Sequence, residues 1–455
     1  MGQVTPRTGH ALLAPGRNCW RLERARRLRF LVDGAEYFTA VRQAIAQARR
    51  TLFVLGWDID SRMCLVPDGA NDGFPEGLCD FINAAVTRRR GLRAYILSWD
   101  FAMLFALERE WMPVYKLDWR THRRLSFRLD ARHPVGACHH QKIVVVDDAL
   151  AFVGGFDLTQ RRWDTRAHAP EEPGRRDVNG VPYAPFHDVQ AMVDGDAARA
   201  LGELARERWH GAVGRRARST DPAPPHDPWP TDCVPDVRDV NVGIARTEPP
   251  LDERAGVYEI RQLHVDMLAA AQRHLYIENQ YFSSSVIGSC LAERLRAPDA
   301  PEAAVVVPRR ESGWLEETTM GVLRARLHRR LKSADAAGRY RLYCPHFPAL
   351  GGACLNVHSK VLVVDDDWLT VGSANLSNRS MGFDTECNLA IEAAGNEQVR
   401  NAIAGFRNRL LGEHLGVAPE RVAAEIAQRG SLIAAIEALR GPGRTLQPIE
   451  PQVSD

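Results

Sequence analysis

A histidine and a lysine, separated by one residue, occur together at two places in the chain. The sequence is His140-Gln141-Lys142 at the first place and His358-Ser359-Lys360 at the second. The other matching positions, also 218 residues apart, are Asp147 and Asp365, and Gly155 and Ser373. A register kept without a gap over about twenty residues indicates an internal duplication.

These residue types suit chemistry at a phosphoryl group. The ammonium of a lysine neutralises non-bridging oxygens as a point charge, and an imidazole exchanges its proton near neutral pH. With two such pairs, one imidazole can attack phosphorus while the other protonates the departing alcohol. The first step then forms a phosphohistidine, which water or a second alcohol resolves. Because two lysines and neighbouring donors can carry the charge, we expect no metal and no cofactor.

Lysine is rare in this chain, which makes the motif lysines more informative. The chain has 59 lysines and arginines, of which the only lysines are Lys116, Lys142, Lys332 and Lys360. Half of the lysines therefore fall in the repeat, where a compact ammonium is used rather than a planar guanidinium. A chance His-x-Lys on a surface strand would explain one copy, but not two copies in fixed register.

Each motif is predicted to lead into a β-hairpin. In the first copy, residues 143–146 form an apolar strand, residues 147–148 a turn and residues 150–153 the returning strand. Residues i and i+2 of a strand project to the same face, so His140 and Lys142 should point into one site. The second copy should do the same.

The remaining repeated positions are assigned by their place in the hairpin. Asp147 and Asp365 fall at the turns, and we interpret them mainly as structural residues. Gly155 and Ser373 lack bulk, so the backbone can approach a substrate there, and we predict them to be substrate-binding residues.

Each histidine also needs a carboxylate that holds its tautomer. Glu386 is the candidate that follows the second motif. Asp188 is the candidate that follows the first motif, with Asp164 as the alternative. His139 has no histidine counterpart in the second copy, so we leave it out of the chemistry.

The order of predicted elements favours an α/β fold. Helical patterns alternate with short apolar strands, as in an α/β sandwich, and the segment after residue 213 is rich in Arg, Pro and Asp. The predicted units are a tail at 1–20, an N-terminal lobe at 21–213, a linker at 214–252, a C-terminal lobe at 253–412, and a helical extension with a disordered tail at 413–455.

Composition narrows the classes of protein further. The formal net charge of +2 gives no general affinity for nucleic acids. The nine cysteines are scattered without a Cys-x-x-Cys pair, which fits a reduced compartment and argues against a zinc site or a disulfide scaffold. No signal peptide or membrane-spanning run is predicted. We therefore expect a cytoplasmic monomer that reaches a membrane surface from water.

The motifs and their flanks resemble the phospholipase D superfamily, which is named for a paired His-x-Lys-x4-Asp motif. Residues 154–165 and 187–189 look like the first half of the eukaryotic-type phospholipases D, and residues 276–282 and 372–382 look like the second half. The similarity extends over about residues 30–415. It implies a two-lobed α/β fold of pseudo-repeats with one active site at their interface.

The resemblance also implies roles for the site residues. His140 would be the nucleophile and His358 the general acid, although the residues alone leave the order of the two open. Both motif lysines and Asn375 would hold the phosphate. The counterpart of Asn375 in the first half is Asp157, and an amide can donate to phosphate whereas an ionised carboxylate cannot. The site should therefore be electrically asymmetric.

The favoured function is a phospholipase D that cuts glycerophospholipids to phosphatidic acid and a free head group, with transfer to alcohols as a second activity. Its partners would be a phospholipid at a membrane surface and water or an alcohol as acceptor, with no nucleic acid. The alternatives are a cardiolipin-synthase-type phosphatidyltransferase, a nuclease or DNA-end phosphodiesterase, and a non-catalytic binding protein. The near-neutral charge speaks against nucleic acid, and two intact half-sites speak against a non-catalytic protein.

Overall fold

A computed structural model describes residues 11–100, 122–220, 226–310 and 320–450. The strands are β1 (Arg21–Val32), β2 (Thr51–Gly56), β3 (Arg93–Trp99), β4 (Leu125–Asp130), β5 (Ile143–Val146), β6 (Leu150–Gly154), β7 (Phe186–His187), β8 (Val189–Asp194), β9 (Val237–Glu248), β10 (Val257–Tyr258), β11 (His274–Asn279), β12 (Glu302–Val306), β13 (Tyr340–His346), β14 (Asn356–Val357), β15 (Lys360–Val364), β16 (Trp368–Gly372), β17 (Glu386–Glu392) and β18 (Thr445–Pro448). The helices are α1 (Asp33–Gln47), α2 (Leu78–Arg88), α3 (Gly195–Val213), α4 (Glu259–Ala270), α5 (Ser285–Arg296), α6 (Val322–Ala334), α7 (Glu397–Leu415), α8 (Pro419–Arg429) and α9 (Leu432–Leu439). Within these ranges no helix combines the length and the apolar content needed to cross a membrane.

The strand order is symmetric about the pair formed by β1 and β9. From one edge inward the order is β4-β3-β2-β5-β6-β8-β1, and from the other edge inward it is β13-β12-β11-β15-β16-β17-β9, with β18 outside β13. β1 and β9 pair antiparallel, so the two halves join along their first strands into one sheet. The predicted α/β fold of two pseudo-repeats is confirmed.

Apolar side chains cover both faces of this sheet. On one face the core is continuous across the halves, from Val145 in β5 to Val363 in β15, and it includes Trp209 of α3 and Phe406 of α7. On the other face each half has its own core, one beneath α1 and α2 and one beneath α4, α5 and α6. The shared core fixes the two halves relative to each other, so that side chains from both can meet at one site.

The prediction of a linker at 214–252 is wrong for its last part. Residues 237–248 form β9, which pairs with both β1 and β17 at the centre of the sheet. Val240, Val242 and Ile244 alternate along this strand and are buried. The Pro- and Asp-rich residues before it obscured the period-two pattern. The second half therefore begins at β9 rather than at residue 253.

The predicted tails are also partly wrong. Leu13 and Cys19 are buried and pack over Gly243 of β9. At the other end, β18 pairs with β13 and extends the sheet by one strand. Both segments contain apolar residues that cover a strand or a core surface, and burial of that area orders them. Residues 419–429 and 432–439 of the C-terminal segment are helical, and residues 1–10 and 451–455 lie outside the described residues.

The two motif hairpins are confirmed. Val146 lies opposite Leu150 in the first hairpin, and Val364 lies opposite Trp368 in the second. The first two turn residues of each hairpin adopt left-handed φ angles of 53–62°, which aspartate tolerates better than most residues; they are Asp147, Asp148, Asp365 and Asp366.

The first aspartate of each turn also holds the strand beside the hairpin. The carboxylate of Asp147 accepts hydrogen bonds of 2.6–2.7 Å from the peptide N–H groups of Arg49, Arg50 and Thr51. The carboxylate of Asp365 accepts bonds of 2.6–2.8 Å from the peptide N–H groups of Gln272, Arg273 and His274. Both carboxylates are buried and connect the hairpin to the start of β2 or β11.

Asp147→Ala and Asp365→Ala are each expected to lower the free energy of unfolding by roughly 2–4 kcal/mol, because three backbone N–H donors, one of them in a buried hydrogen bond, lose a charged acceptor. Chemical denaturation monitored by circular dichroism measures this loss. Asp299→Ala, at a side chain that is 80% exposed, is the matched control and should change stability little. A loss below about 1 kcal/mol at both turns would contradict the structural role.

Candidate active site

His140 lies at the entrance to β5 and contacts the second half of the chain. Its N–H donates to the carbonyl of Thr385 (2.8 Å), and its Nδ1 lies 3.0 Å from Glu386 Oε2 and 3.1 Å from the carbonyl oxygen of Ser373. Glu386 is fully buried at the first residue of β17. Because Nδ1 is held by these acceptors, Nε2 is the ring nitrogen left for chemistry.

His358 makes the corresponding contacts with the first half. Its N–H donates to the carbonyl of His187 (2.7 Å), and its Nδ1 lies 2.6 Å from Oδ2 of the fully buried Asp188. Each histidine is therefore oriented by a carboxylate of the other half. The sequence identified both carboxylates, and the structure adds that the pairs cross between the halves.

The two motif lysines lie beside their histidines but have different partners. Lys142 Nζ lies 3.0 Å from Asp157 Oδ2, whereas Lys360 Nζ lies 3.2 Å from the amide oxygen of Gln280. Asn375, the counterpart of Asp157, is buried, and its Oδ1 has no hydrogen-bond partner among the described residues. Lys142 thus contacts a carboxylate directly and Lys360 contacts an amide, in line with the predicted asymmetry.

The charges of both motifs act on one another. Burial and the charge of Lys360 lower the pKa of His358 well below its ordinary value, and Lys142 and His140 add to that effect. Burial lowers the pKa of Lys360 to about 7, although Asp188 opposes this. Burial also raises the pKa of Asp188 to about 7, against the pull of Lys360. The charged groups of both motifs therefore share one electrostatic environment.

Gly155 and Ser373 lie against the carboxylates that hold the two histidines, and their contact with substrate stays a prediction. A Cβ at Gly155 would lie 2.1 Å from Asp188 Oδ1, so a larger residue would displace that carboxylate. Ser373 Oγ donates to Glu386 Oε2 (2.5 Å). The peptide N–H groups of both residues already bond to strand carbonyls, at 3.1 and 3.0 Å. In this structure both are positioning residues.

Asp164 and His139, which the sequence analysis also considered, bond to other partners. Asp164, the alternative carboxylate, bonds His168 Nδ1 at 2.9 Å and Arg175 Nη1 at 3.1 Å. His139 lies 3.2 Å from Asp130, and burial lowers its pKa to about 4, so the ring is neutral at pH 7. Neither contacts the motif lysines or the two paired rings.

Gln280 and Arg162 were not among the predicted site residues. Gln280 directly follows Asn279, the last residue of β11, and Asn279 lies opposite Lys360 in the pairing of β11 with β15. Gln280 could have been predicted only with knowledge of this pairing register. Arg162 acts with burial and Lys360 to lower the pKa of His358. It lies in a long loop without periodicity, within residues 154–165 that carry the family resemblance, but no role for its side chain was drawn from that resemblance.

Comparison with known proteins gives matches over most of the chain. A family model described as "Cardiolipin synthase, PLD-like domain" matches residues 265–410. Phospholipase D A of Dictyostelium discoideum is 25% identical over 474 aligned positions, which cover 86% of this chain and 36% of that protein. Phospholipase D alpha 1 of Vigna unguiculata is 23% identical over 515 positions, which cover 82% and 63%. The chain spans between about a third and two thirds of the length of these relatives.

One solved structure has the same fold. The crystal structure of phosphatidylserine synthase from Haemophilus influenzae Rd KW20 superposes with a TM-score of 0.59 over 90% of this chain and 95% of that chain, at 14% sequence identity. The likeness therefore covers both halves of the sheet.

Proposed function

Because this chain belongs to the phospholipase D superfamily, we propose that it is a phospholipase D-type phosphodiesterase. It hydrolyses glycerophospholipids to phosphatidic acid and a free head group, and it transfers the phosphatidyl group to alcohols. The observation that carries the proposal is the pair of crossed dyads, His140 with Glu386 and His358 with Asp188. They supply two oriented imidazoles to a site that also holds both motif lysines, as displacement at a phosphodiester requires.

The reaction proceeds in two displacements. His140 Nε2 attacks phosphorus, the bond from phosphorus to the head-group oxygen breaks, and that oxygen takes the proton from His358 Nε2. The products are a phosphatidyl-histidine and the free head group. In the second step, neutral His358 takes a proton from water or an alcohol, whose oxygen attacks phosphorus. The phosphorus–nitrogen bond breaks and its electron pair returns to His140.

Binding of the anionic diester changes the protonation of His358. The diester binds between Lys142 and Lys360. Its negative charge opposes the effect of these and other nearby cations, which lower the pKa of His358. Substrate binding therefore raises the pKa of His358. The ring takes up a proton, which it then gives to the leaving group. Asn375, in the second half, donates its amide N–H to a non-bridging oxygen. Its counterpart in the first half, Asp157, is a carboxylate and cannot donate when ionised.

The test of the proposal is incubation with mixed phospholipid vesicles and a primary alcohol. We expect phosphatidic acid and phosphatidyl-alcohol, and we expect both to disappear in His140→Ala and His358→Ala. His210→Ala, at an exposed position of α3, is the matched control and should retain both products. Product formation that survives both motif substitutions would refute the assignment.

A phosphatidyltransferase with a lipid acceptor is the second candidate, because the matching family model carries the description of a cardiolipin synthase. The two functions share the covalent intermediate and differ in what resolves it. Vesicles that contain phosphatidylglycerol, without added alcohol, separate them. Phosphatidic acid as the main product supports the phospholipase, and cardiolipin as the main product supports the synthase.

The pH dependence of kcat/KM follows from Lys360. An ammonium is charged below its pKa, so the free site loses this charge as the pH rises above about 7 and binds the anionic diester less well. With a soluble short-chain phospholipid as substrate, kcat/KM should therefore decrease as the pH rises above about 7. Lys360→Gln should have a low kcat/KM without this decline, whereas Lys332→Gln, at a surface lysine that is 42% exposed, should keep the full profile. If Lys360→Gln showed the same decline of kcat/KM, the decline would have to come from another ionisable group.

A further inference from the structure

A second buried cluster of ionisable residues lies behind the active site and has no part in the proposed reaction. It contains Asp33, His168, His187 and Glu413, all of which are buried. One ligand atom from each lies within 4.8 Å of all the others. The cluster adjoins the catalytic pair, because His187 directly precedes Asp188.

The spacing within the cluster is that of ligands around one small cation. His187 Nδ1 lies 2.9 Å from Asp33 Oδ1 and 3.0 Å from Glu413 Oε1. His168 Nε2 lies 3.2 Å from the same Glu413 oxygen and 3.5 Å from Asp33 Oδ2. A tetrahedral zinc ion, with ligands at about 2.0–2.2 Å, separates its ligand atoms by about 3.3–3.6 Å. The separations from Glu413 Oε1 to the two imidazoles are close to these values, whereas Asp33 contacts the two imidazoles through different oxygens, so its carboxylate would turn to bring one oxygen to the ion.

The outer nitrogens of both imidazoles are held by further carboxylates. His168 Nδ1 lies 2.9 Å from Asp164 Oδ2, and His187 Nε2 lies 3.0 Å from Glu278 Oε2. A carboxylate on the far nitrogen fixes the tautomer and directs the near nitrogen at a metal, as in carboxylate–histidine–zinc arrangements. Each proposed histidine ligand therefore has the outer partner that metal-binding histidines have.

Asp33 supplies an independent sign that a ligand belongs here. Its side chain is fully buried, and Oδ2 has no hydrogen-bond partner among the described residues. A buried carboxylate oxygen without a partner is costly. The backbone holds this carboxylate in place, because the N–H of Asp33 donates to the carbonyl of Asp188 (2.9 Å). The unpaired oxygen lies on the side of the cluster that faces His168.

We propose that Asp33, His168, His187 and Glu413 form a zinc-binding site. Two imidazoles among four ligands favour zinc over calcium and magnesium, which take oxygen ligands. Four protein ligands leave no open position, as in structural zinc sites. The ion connects segments of both halves and supports the His187 carbonyl, which accepts the N–H of His358 (2.7 Å). A zinc ion here departs from the expectation, drawn from the sequence, of no metal and no zinc site; the four ligands include no cysteine and are too far apart in the sequence to form a motif.

The competing explanation is that two protonated imidazoles hold the cluster together without a metal. In that case His168 and His187 each donate from both ring nitrogens to carboxylates. Zinc content and the response of folding to zinc distinguish the two explanations, and neither measurement depends on the proposed enzyme activity.

The test uses the full-length chain purified without added metal, incubated with zinc and passed through a desalting column. Elemental analysis by mass spectrometry should find about one zinc ion per chain. Zinc should raise the melting temperature, and a chelator should lower it. His168→Gln and Glu413→Gln should retain less than about a tenth of that zinc. His264→Gln is the matched control, because His264 is buried and its ring bonds the carbonyl of Ile260 (2.8 Å) rather than a carboxylate among the described residues.

The wild-type chain decides the outcome even if a variant fails to fold. Less than about a tenth of a zinc ion per wild-type chain, with a melting temperature unaffected by zinc, would overturn the proposal. Equal zinc content in folded wild type and in both cluster variants would also overturn it, because the zinc would then lie elsewhere.

Discussion

His140→Ala is expected to abolish turnover of every phosphodiester substrate, by about 10⁴-fold or more, because no other group can attack phosphorus in its place. His358→Ala is expected to be selective. With natural lipids, whose head-group alcohol must be protonated, the loss should be about 10²–10⁴-fold. With a p-nitrophenyl phosphodiester, whose leaving group departs without a proton, the first step should remain fast.

The second step distinguishes the roles of the two histidines further. Without His358 no base activates water, so the intermediate on His140 should accumulate after a burst of about one p-nitrophenol per chain. Stopped-flow absorbance measures the burst, and mass spectrometry of the quenched protein locates the phosphatidyl group. His210→Ala should turn over like the wild type. A burst in His140→Ala and none in His358→Ala would reverse the roles.

The repeat determined how much of the site was visible in the sequence. A fixed offset identified both histidines and both lysines, and alternation along a strand indicated that each His-Lys pair shares a face. The turn aspartates were identifiable because a two-residue polar break between apolar strands predicts a hairpin turn. These features are local, so they did not require knowledge of the sheet.

The features that the sequence did not reveal are those that depend on how the halves meet. The pairing of β1 with β9 brings Asp188 to His358 and Glu386 to His140, although each carboxylate is nearer in sequence to the other histidine. The use of Gly155 as space for Asp188 follows instead from the pairing of β6 with β8 within the first half, a pairing that the sequence analysis did not assign. Strand β9 was missed because its neighbours are rich in proline, and the cluster around His187 was missed because its members come from distant segments.

Asp188→Asn and Glu386→Gln are therefore expected to reproduce the defects of the histidines that they contact across the halves. An amide has the size of the carboxylate but no charge, and it can turn its NH₂ group towards Nδ1 and favour the wrong tautomer. In an analogous dyad this change costs about 10⁴-fold in kcat. We expect losses of about 10²–10⁴-fold with phospholipid vesicles for both variants.

The p-nitrophenyl substrate then shows which histidine each carboxylate holds. Asp188→Asn should give the p-nitrophenol burst and accumulate the intermediate, as His358→Ala does. Glu386→Gln should give little burst, as His140→Ala does. Asp299→Asn, far more exposed than either carboxylate, should behave as the wild type. If Asp188→Asn instead lost the burst and Glu386→Gln kept it, the pairs would run within the halves. Because the crossed contacts join the two lobes, a site built this way works only when both lobes are docked, and the two amide variants measure that dependence directly.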